Sequence, residues 1–407
     1  MIVPAQRGPT LADYERVAPP GQVDLLRRLA SKVQGRSMVH VNSTRWGGGV
    51  AEMLHRLLPL MRELGVGVRW EVIEGDESFY ATTKSFHNAL QGTEQIVTDQ
   101  MLEAYRVANR RNSESLDLDA DLVLIHDPQP AALVLARSRR PQSSWVWRCH
   151  IDASRPVRRV WSFLREYVVK YDAAIFSLPT FAQRLPIPQF LVYPAIDPLD
   201  EKNRELPDDQ IEGVLHRLSV PRDKPILLQV SRYDRFKDPI GVVNAYKLVK
   251  RHHDVRLVLA GGGASDDPEG AKVLSEVQAY SSGDPDIHVL VLPNTAHLEI
   301  NALQRAATVV FQKSTKEGFG LTVAEALWKG KPVIGGAVGG IVKQIVQGVT
   351  GYLVSSVEGA AFRCRELLSD PERASRMGEA GREFVRHRFL VTRLVADDLA
   401  LIAAITK

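Results

Sequence analysis

Two acidic residues, Glu317 and Glu325, bracket a glycine turn in the segment EGFGLTVAEAL, residues 317–327. Apolar residues recur at helical spacing after the turn, which predicts a helix that begins near Leu321 or Thr322. The unpaired N–H groups at its start, together with the positive end of the helix dipole, suit a phosphate. Because carboxylates repel phosphate, we expect the two glutamates to accept hydrogen bonds from hydroxyls. A ligand with central phosphates and hydroxyls at both ends is a nucleotide sugar.

A basic turn upstream carries Arg232 and Lys237, directly after the apolar segment 226–230. This segment is predicted to be a strand, and side chains at the carboxyl ends of strands in an α/β sheet face the ligand crevice. Cations there would stabilise the charge that a departing nucleoside diphosphate gains, more in the transition state than in the ground state. Each motif alone could be a solvated loop, but the two together favour a functional site.

The N-terminal half offers a second glycine run, residues 47–49, between a predicted strand and an amphipathic helix. Glycine permits close approach of the backbone to a phosphate, although most such turns only connect a strand to a helix tightly. Two further predicted strands end in polar residues, one in His126 and Asp127 and the other in His150 and Asp152. A lone histidine at a strand end is more often structural, but two His/Asp pairs favour a function.

Strands alternate with helices through both halves of the chain, which predicts an α/β protein with two doubly wound parallel sheets. A proline-containing segment at 195–207 is predicted to link two Rossmann-like domains, residues 1–200 and residues 201–386. A C-terminal helix at about 387–407 is expected to pack back on the first domain. The strand VRLVLAGGG leads into polar SDDPEG rather than a helix, so a dinucleotide-binding fingerprint is not expected.

The composition is that of a globular enzyme, with 407 residues, 44% hydrophobic and 25% charged. The net charge of +4 is spread along the chain, which suits an anionic small substrate and argues against a nucleic-acid partner. Cys149 and Cys364 lack metal-ligand spacing, and we expect a reducing, cytoplasmic location. No signal peptide or membrane-spanning run is evident, so no membrane partner is expected.

Four motifs in this order, WGGGVAE, HID, SRYDRFKD and EGFGLTVAEAL, resemble those of retaining glycosyltransferases of family 4. The resemblance implies the GT-B architecture, two facing Rossmann-like domains with an interdomain cleft. It implies that Arg232 and Lys237 bind the donor phosphates, that Glu317 contacts the transferred sugar, and that Glu325 contacts the nucleotide ribose. Asp238 departs from the family, which usually has glycine there. The implied donor-binding residues are Gly48, Gly49, Gly318, Phe319, Gly320, Leu321, Thr322 and Glu325.

A narrower resemblance, to the trehalose glycosyltransferring synthases, is carried by VNSTRWGGGVAEML, FHNALQG, HDPQPAAL, WRCHIDAS, DDPEG and EGFGLTVAEALWKGKPVIGGAVGGI. Those enzymes join a nucleoside-diphosphate glucose to free glucose and give α,α-trehalose with retained configuration. The resemblance implies that Asp127, His150 and Asp152 lie on the acceptor side, with Arg148 as a weaker candidate. The implied catalytic residues are Arg232, Lys237, Glu317, His150 and Asp127.

No carboxylate is singled out as a nucleophile, so we adopt front-face attack as a hypothesis, with a donor phosphate oxygen accepting the proton of the acceptor. The nucleotide could be UDP, ADP or GDP, and no tightly bound cofactor is expected. Mg²⁺ is compatible with a diphosphate substrate, but no metal-ligand cluster is evident. The oligomeric state is left open, with a homodimer as one possibility. The alternatives are a sugar phosphate or glycerate as acceptor, a nucleotide-sugar epimerase, and a non-catalytic sensor.

Overall fold

The computed structural model describes residues 8–46, 48–262 and 268–406. Gly47 and the first residues of SDDPEG, Ser265 to Asp267, therefore lie outside the described residues. The chain forms two compact units, one of residues 8–194 with residues 391–406 and one of Ala195–Leu390. Within the described ranges, no helix has both the length and the apolar character needed to cross a membrane.

Each unit contains one parallel sheet with six strands in the described part of the chain. The strands of the first unit are β1 (Ser37–Asn42), β2 (Gly67–Val72), β3 (Leu122–His126), β4 (Ser144–Cys149), β5 (Ala173–Phe176) and β6 (Gln189–Leu191). The strands of the second unit are β7 (Ile226–Val230), β8 (Arg256–Gly261), β9 (Ile287–Val291), β10 (Val309–Gln312), β11 (Val333–Gly336) and β12 (Gly351–Val354).

Helices connect the strands. Those of the first unit are α1 (Leu11–Tyr14), α2 (Gln22–Lys32), α3 (Gly49–Glu63), α4 (Glu77–Leu90), α5 (Asp99–Ser115), α6 (Arg158–Val168) and α15 (Val391–Ile405), with short 3₁₀ helices at Ala131–Arg139 and Pro179–Phe181. Those of the second unit are α7 (Asp208–Arg217), α8 (Pro239–Lys250), α9 (Pro268–Ser281), α10 (His297–Ala306), α11 (Leu321–Trp328), α12 (Ile341–Gln344), α13 (Val357–Ser369) and α14 (Pro371–Arg388), with a 3₁₀ turn at Arg235–Lys237.

The first sheet has the order β2-β1-β3-β4-β5-β6. Every residue of β3 and β4 is buried, as expected for central strands that are covered on both faces. The chain leaves β1 in one direction and β3 in the other, so the order reverses between these two strands. The carboxyl ends of β1 and β3 therefore flank the position where ligands bind in open α/β sheets.

The second sheet has the order β12-β11-β10-β7-β8-β9, the order of a dinucleotide-binding Rossmann sheet. Here the order reverses between β7 and β10, which pair in register through Val309 and Leu227. The loop after β7 carries the predicted basic turn, and the loop after β10 carries the predicted glycine turn. The two doubly wound parallel sheets predicted from the sequence are thus confirmed, and the two motifs meet at one edge.

One local prediction is wrong. The polar segment SDDPEG was expected to follow its strand without a helix, but Pro268 is the first residue of α9. Proline is favoured in the first turn of a helix because its missing N–H would be unpaired there in any case.

The last helix, α15, packs against α2 and α3 of the first unit. It buries Asp398, whose carboxylate lies 3.5 Å from the guanidinium of Arg148 on β4, and both side chains are 1% exposed. Burial raises the pKa of Asp398 to about 6, and the nearby Arg148 acts in the opposite direction. A buried ion pair of this kind is costly to break, because the remaining charge has no partner of opposite sign.

The substitution Asp398→Ala is therefore expected to lower the free energy of unfolding of the first unit by roughly 3–5 kcal/mol. Urea denaturation at a pH well above 6 measures this, since the carboxylate is then ionised. Tryptophan fluorescence reports mainly on this unit, because Trp328 alone among the six tryptophans follows residue 195. The matched control is Asp397→Ala, which removes a partly exposed pair with Arg393 and should cost about 1 kcal/mol or less. Equal losses would contradict a structural role for the buried pair.

Candidate active site

An ion pair joins the two motifs of the second unit. The Lys237 ammonium lies 2.7 Å from both carboxylate oxygens of Glu317, 80 residues further along the chain. The side chains are only 18% and 8% exposed, so water screens the pair weakly. Lys237 ends the 3₁₀ turn after β7, and its carbonyl accepts a hydrogen bond from Gln229 on that strand at 2.7 Å. Both partners are thus fixed to the carboxyl edge of the sheet.

The Glu317 carboxylate has further donors. Its Oε2 atom accepts from Ser314 Oγ at 3.1 Å and from Gln312 Nε2 at 3.3 Å, whereas Oε1 accepts from Lys237 within the described residues. A carboxylate offers about four lone-pair sites, so Oε1 keeps capacity for another donor. Gln312 also accepts a hydrogen bond from Thr322 Oγ1 at 3.1 Å, which ties the carboxylate to the start of α11.

The glycine turn is shaped by close backbone contacts. Gly320 adopts a left-handed conformation, with φ of +80°, and immediately precedes Leu321, the first residue of α11. Gly339 and Gly340 of the following loop pack directly on the turn: the Gly340 amide donates to the Gly318 carbonyl at 2.7 Å. A Cβ atom at Gly339 would lie 1.8 Å from the carbonyl oxygen of Glu317. No side chain fits there.

The predicted donor-binding residues of this turn face different ways. A Cβ built on Gly318 meets no described atom within 4 Å, so the turn is open on that side. Leu321 and Thr322 are half-buried. The Phe319 ring is buried against Phe389, with ring centroids 5.4 Å apart. The side chain of Phe319 therefore stabilises the turn from inside, and only its backbone remains for a ligand.

Asp238 replaces the glycine that the resembled family has after Lys237, and the structure explains how. Its φ of +50° is left-handed, a conformation that aspartate tolerates better than most residues. The carboxylate caps α8 by accepting from the Gly241 amide at 3.1 Å, and it forms an ion pair with Lys313. Lys313 thus balances the added charge, and Asp238 does not pair with Lys237.

Arg232, the other cation of the basic turn, is exposed. Its side chain is 64% accessible and lies 3.5 Å from the Asp234 carboxylate, which makes a weak surface pair. Its guanidinium therefore keeps most of its donors for a ligand. Arg235 on the same turn points elsewhere and pairs with Glu276 at 3.0 Å.

Glu325 lies on α11 and is 3% exposed. One carboxylate oxygen, Oε1, lies 3.2 Å from the Lys202 ammonium, and the other, Oε2, has no hydrogen-bond partner among the described residues. A buried carboxylate oxygen without a donor is unusual and suits a ligand hydroxyl. Nearby, burial lowers the pKa of Lys329 to about 7, and its ammonium donates to Asn203 and Gln304 at 2.9 and 2.8 Å.

In the first unit, three histidines form a row at the edge where the strand order reverses. His40 Nδ1 lies 3.0 Å from His126 Nε2, and His126 Nδ1 lies 2.9 Å from His150 Nε2. Neighbouring rings are stacked, with centroids 5.3 and 5.2 Å apart. His40 and His126 are buried, and His150 is half-buried at the end of the row. The structure thus joins the two predicted His/Asp motifs through their histidines.

Asp127 is pinned beside this row. Its φ of +65° is left-handed, and three hydrogen bonds of 2.8 Å hold it: its amide donates to Arg148 O, Trp147 Nε1 donates to its carbonyl, and its Oδ1 accepts from the His150 amide. Burial raises the pKa of Asp127 to about 7, although the hydrogen bond from His150 acts in the opposite direction. Aspartate tolerates this conformation better than most residues, and the three hydrogen bonds fix its carboxylate at the end of β3.

The remaining candidates of the first unit are more structural. Asp152 is 9% exposed and accepts a hydrogen bond from the Ser154 amide at 2.9 Å. Arg148 is buried with Asp398, so it is not positioned as a ligand-binding cation. Arg45 lies against Trp70, 5.0 Å from the ring centroid, and donates to its backbone carbonyl.

The N-terminal glycine loop leads into α3, with Gly48 at φ of +86° before the helix and Gly49 as its first residue. A Cβ on either glycine would meet no described atom within 4 Å, so this loop is open too. Within the described ranges, no group of three or more His, Cys, Asp or Glu side chains is placed to hold a metal ion.

The sequence reasoning missed the residues that hold the site. Gln312 and Ser314 precede the predicted motif, and their positions at or just after a strand end were a usable signal. His40 lies inside the buried strand β1, where a histidine among apolar residues stands out. Lys202 lies in the predicted linker, and no local pattern connects it with Glu325.

Two family models match the chain. Residues 40–183 match the N-terminal domain of trehalose synthase, and residues 215–384 match the glycosyl transferases group 1. The fold is similar to that of the UDP-forming α,α-trehalose-phosphate synthase from Burkholderia xenovorans, with a TM-score of 0.71 at 15% identity, covering 91% of this chain and 99% of that one. Fold and family models together define a glycosyltransferase of the GT-B class, a hexosyltransferase enzyme.

Two curated relatives narrow the class. The chain is 47% identical to a trehalose synthase of Pyrococcus horikoshii, over 94% of this chain and 93% of the relative. It is 43% identical to a trehalose synthase of Rubrobacter xylanophilus, over 97% and 96% respectively. The chain belongs to the trehalose synthase family.

The close packing of Gly339 on Glu317 can be tested. Gly339→Ala should displace the glycine turn, because the new Cβ would overlap the Glu317 carbonyl and the φ of +49° is unfavourable for alanine. We expect turnover in glycosyl transfer to fall by roughly a hundredfold, the size of effect that a small misplacement of reacting groups produces. The control is Gly213→Ala on α7, where the nearest atom would lie 3.9 Å away. Normal turnover in Gly339→Ala would show that the turn does not position Glu317.

Proposed function

We propose that the protein transfers a glucosyl group from a nucleoside-diphosphate glucose to free glucose and forms α,α-trehalose with retained configuration. The observation that carries the proposal is the Lys237–Glu317 pair beside an open glycine turn, where the strand order of the second sheet reverses. The names of the two curated relatives support the product, and the UDP-forming enzyme of similar fold supports a nucleoside diphosphate as leaving group.

The donor phosphates are assigned to the basic turn and the start of α11. Arg232 supplies exposed guanidinium donors, and Lys237 supplies a fixed ammonium. Negative charge grows on the diphosphate as the glycosidic bond breaks, so these cations stabilise the transition state more than the ground state. The open side of Gly318 allows the phosphates to approach the backbone N–H groups that precede α11.

The two glutamates are assigned to hydroxyl groups at opposite ends of the donor. Glu317 keeps a lone-pair site on Oε1 for a hydroxyl of the transferred sugar. Glu325 has a buried oxygen without a donor, which suits a ribose hydroxyl. Neither carboxylate is assigned as a nucleophile, because both are assigned to hydroxyl contacts with the donor.

The acceptor is assigned to the first unit, where Asp127 and His150 lie at the edge of the sheet. The acceptor is free glucose rather than glucose 6-phosphate, because a buried phosphate requires cations. Arg148 is paired with Asp398, and Arg45 is held against Trp70, so neither basic residue of these motifs is placed to clamp a phosphate. The carboxylates of Asp127 and Asp152 suit neutral hydroxyls.

The proposed reaction is front-face attack. The acceptor hydroxyl approaches the anomeric carbon on the side that the diphosphate leaves, and a donor phosphate oxygen takes the hydroxyl proton. The new glycosidic bond then has the configuration of the old one. The protein orients both sugars and stabilises the departing diphosphate. No covalent glycosyl-enzyme intermediate is required, in contrast to retaining glycosidases, in which two carboxylates lie about 5 Å apart.

A matched screen tests the proposal. The glucose esters of UDP, ADP and GDP are each combined with glucose, glucose 6-phosphate, glycerate or no acceptor. Of these acceptors, we expect only glucose to give a disaccharide, and NMR of the product should show the α,α linkage. Because neither Arg45 nor Arg148 is placed to clamp a phosphate, glucose 6-phosphate at the same concentration should give little product.

Other results have distinct meanings. A clear preference for glucose 6-phosphate would overturn the acceptor assignment and leave the retaining transfer intact. Conversion of the nucleotide sugar without any acceptor would indicate an epimerase instead. Transfer to glucose with an inverted linkage would contradict front-face attack.

A further inference from the structure

The row of His40, His126 and His150 constrains its own protons. Burial lowers the pKa of each ring, that of His40 to about 3, so all three are neutral at physiological pH. A neutral imidazole carries one N–H, and its other nitrogen is an acceptor. Each of the two hydrogen bonds in the row therefore needs one protonated nitrogen and one bare nitrogen.

Only two arrangements meet this condition. In the outward arrangement, His40 Nδ1–H donates to His126, His126 Nδ1–H donates to His150 Nε2, and the proton of His150 sits on Nδ1. In the inward arrangement every proton sits on Nε2, so each bond runs the other way. The proton of His126 cannot change sides unless both neighbours change as well.

The two arrangements differ in what they leave at the buried end. His40 is fully buried, and its Nε2 atom has no partner among the described residues. The inward arrangement would bury an N–H donor there without an acceptor, which costs the hydrogen bond that this donor makes in water. The outward arrangement leaves a bare nitrogen instead.

The Arg148 cation lies on the same face of the sheet as the row and disfavours a further positive charge there. Arg148 is the register partner of His126, and His40 is the register partner of Leu124, two residues before His126. Paired residues, and residues two apart on a strand, point to the same face, so Arg148 and both histidines share one face of the sheet. A buried cation disfavours protonation of a neighbouring imidazole. It lowers the pKa of all three rings.

We infer that His40 and His126 are positioning residues that hold His150 in the tautomer protonated on Nδ1, so that His150 donates a hydrogen bond to a substrate oxygen. The inference rests on the proposed function, since it assumes that His150 contacts a sugar. Within the described part of the chain, His150 Nδ1 makes no hydrogen bond, so this donor is available. A neutral ring locked as a donor cannot act as the general base, and this agrees with proton transfer to a phosphate oxygen.

Heteronuclear NMR of the protein with isotope-labelled histidine tests the tautomer directly, because protonated and bare ring nitrogens resonate far apart. The His150 signals are identified by their loss in His150→Gln. We expect Nδ1 protonated and Nε2 bare. A bare Nδ1 on His150 overturns the inference whatever the product of the reaction. A protonated Nδ1 in a protein that forms no trehalose supports the tautomer and overturns the proposed function alone.

Variants test whether the row acts on turnover through hydrogen bonding. His126→Asn keeps a donor near the position of Nδ1, whereas His126→Phe keeps the ring volume and loses both bonds. We expect His126→Phe to lower kcat about tenfold more than His126→Asn, the equivalent of one hydrogen bond, with KM changed less. The control is Tyr171→Phe, which removes a buried hydrogen bond to the Ala131 carbonyl in the same unit and should leave kcat unchanged.

Equal losses of kcat in the two His126 variants would overturn the positioning role, because packing alone would then explain them. Thermal unfolding of each variant separates loss of fold from loss of rate. If His126→Phe does not fold, the tautomer of His150 in the unsubstituted protein decides the inference.

Discussion

The ion pair between Lys237 and Glu317 is the interaction on which the second unit's site depends. It joins the loops after β7 and β10, the two strands between which the sheet order reverses. A parallel sheet with this order brings those loops together at one edge, whatever their distance in the sequence. Three protein donors fix the carboxylate, and the glycine turn follows it directly. The sheet topology brings the two loops together, and the ion pair then fixes the positions of the opposite charges just before α11.

The two units handle polarity in opposite ways. The second unit concentrates charge at its sheet edge, where Lys237, Arg232, Glu317 and Glu325 lie around an open turn. The edge of the first unit carries the carboxylates of Asp127 and Asp152 but little positive charge, since its histidines are neutral and Arg148 is paired with Asp398 beneath α15. This contrast agrees with a donor that carries a diphosphate and an acceptor without charge. It also explains why burial has different effects, since it strengthens the fixed ion pair in one unit and suppresses protonation of the histidines in the other.

The fold could be predicted well because local patterns determine it. The strand Ile226–Val230 has the predicted bounds, and α11 begins at Leu321, one of the two predicted starts. Apolar runs and helical periodicity act over a few residues, so one sequence is enough to reveal them. The prediction for the SDDPEG segment was wrong because it also relied on a local pattern. The polar residues indicated a turn, and the preference of proline for the first turn of a helix was not considered.

The contacts within the site were harder to predict from the sequence. The predicted side chains follow strands, but their partners come from distant segments. Lys237 pairs with Glu317, Glu325 pairs with Lys202, and Arg148 pairs with Asp398. No periodicity connects residues so far apart, and only the folded sheet brings them together. The histidine row is similar: in the sequence His40 is one more residue of a buried strand, and only the fold places its ring beside His126. The sequence pointed to the edges of both sheets, and packing determined what each side chain does there.

The most direct test of the donor site compares kcat for Lys237→Ala and Arg235→Ala in transfer from a nucleoside-diphosphate glucose to glucose. Both residues lie on the same basic turn, but Arg235 pairs with Glu276 on the surface, and Gln312 and Ser314 still hold Glu317 when Lys237 is removed. If Lys237 stabilises the departing diphosphate, Lys237→Ala should lose roughly a hundredfold in kcat and Arg235→Ala almost nothing. Near-normal turnover in Lys237→Ala would contradict the account, because the ion pair would then be a structural contact only.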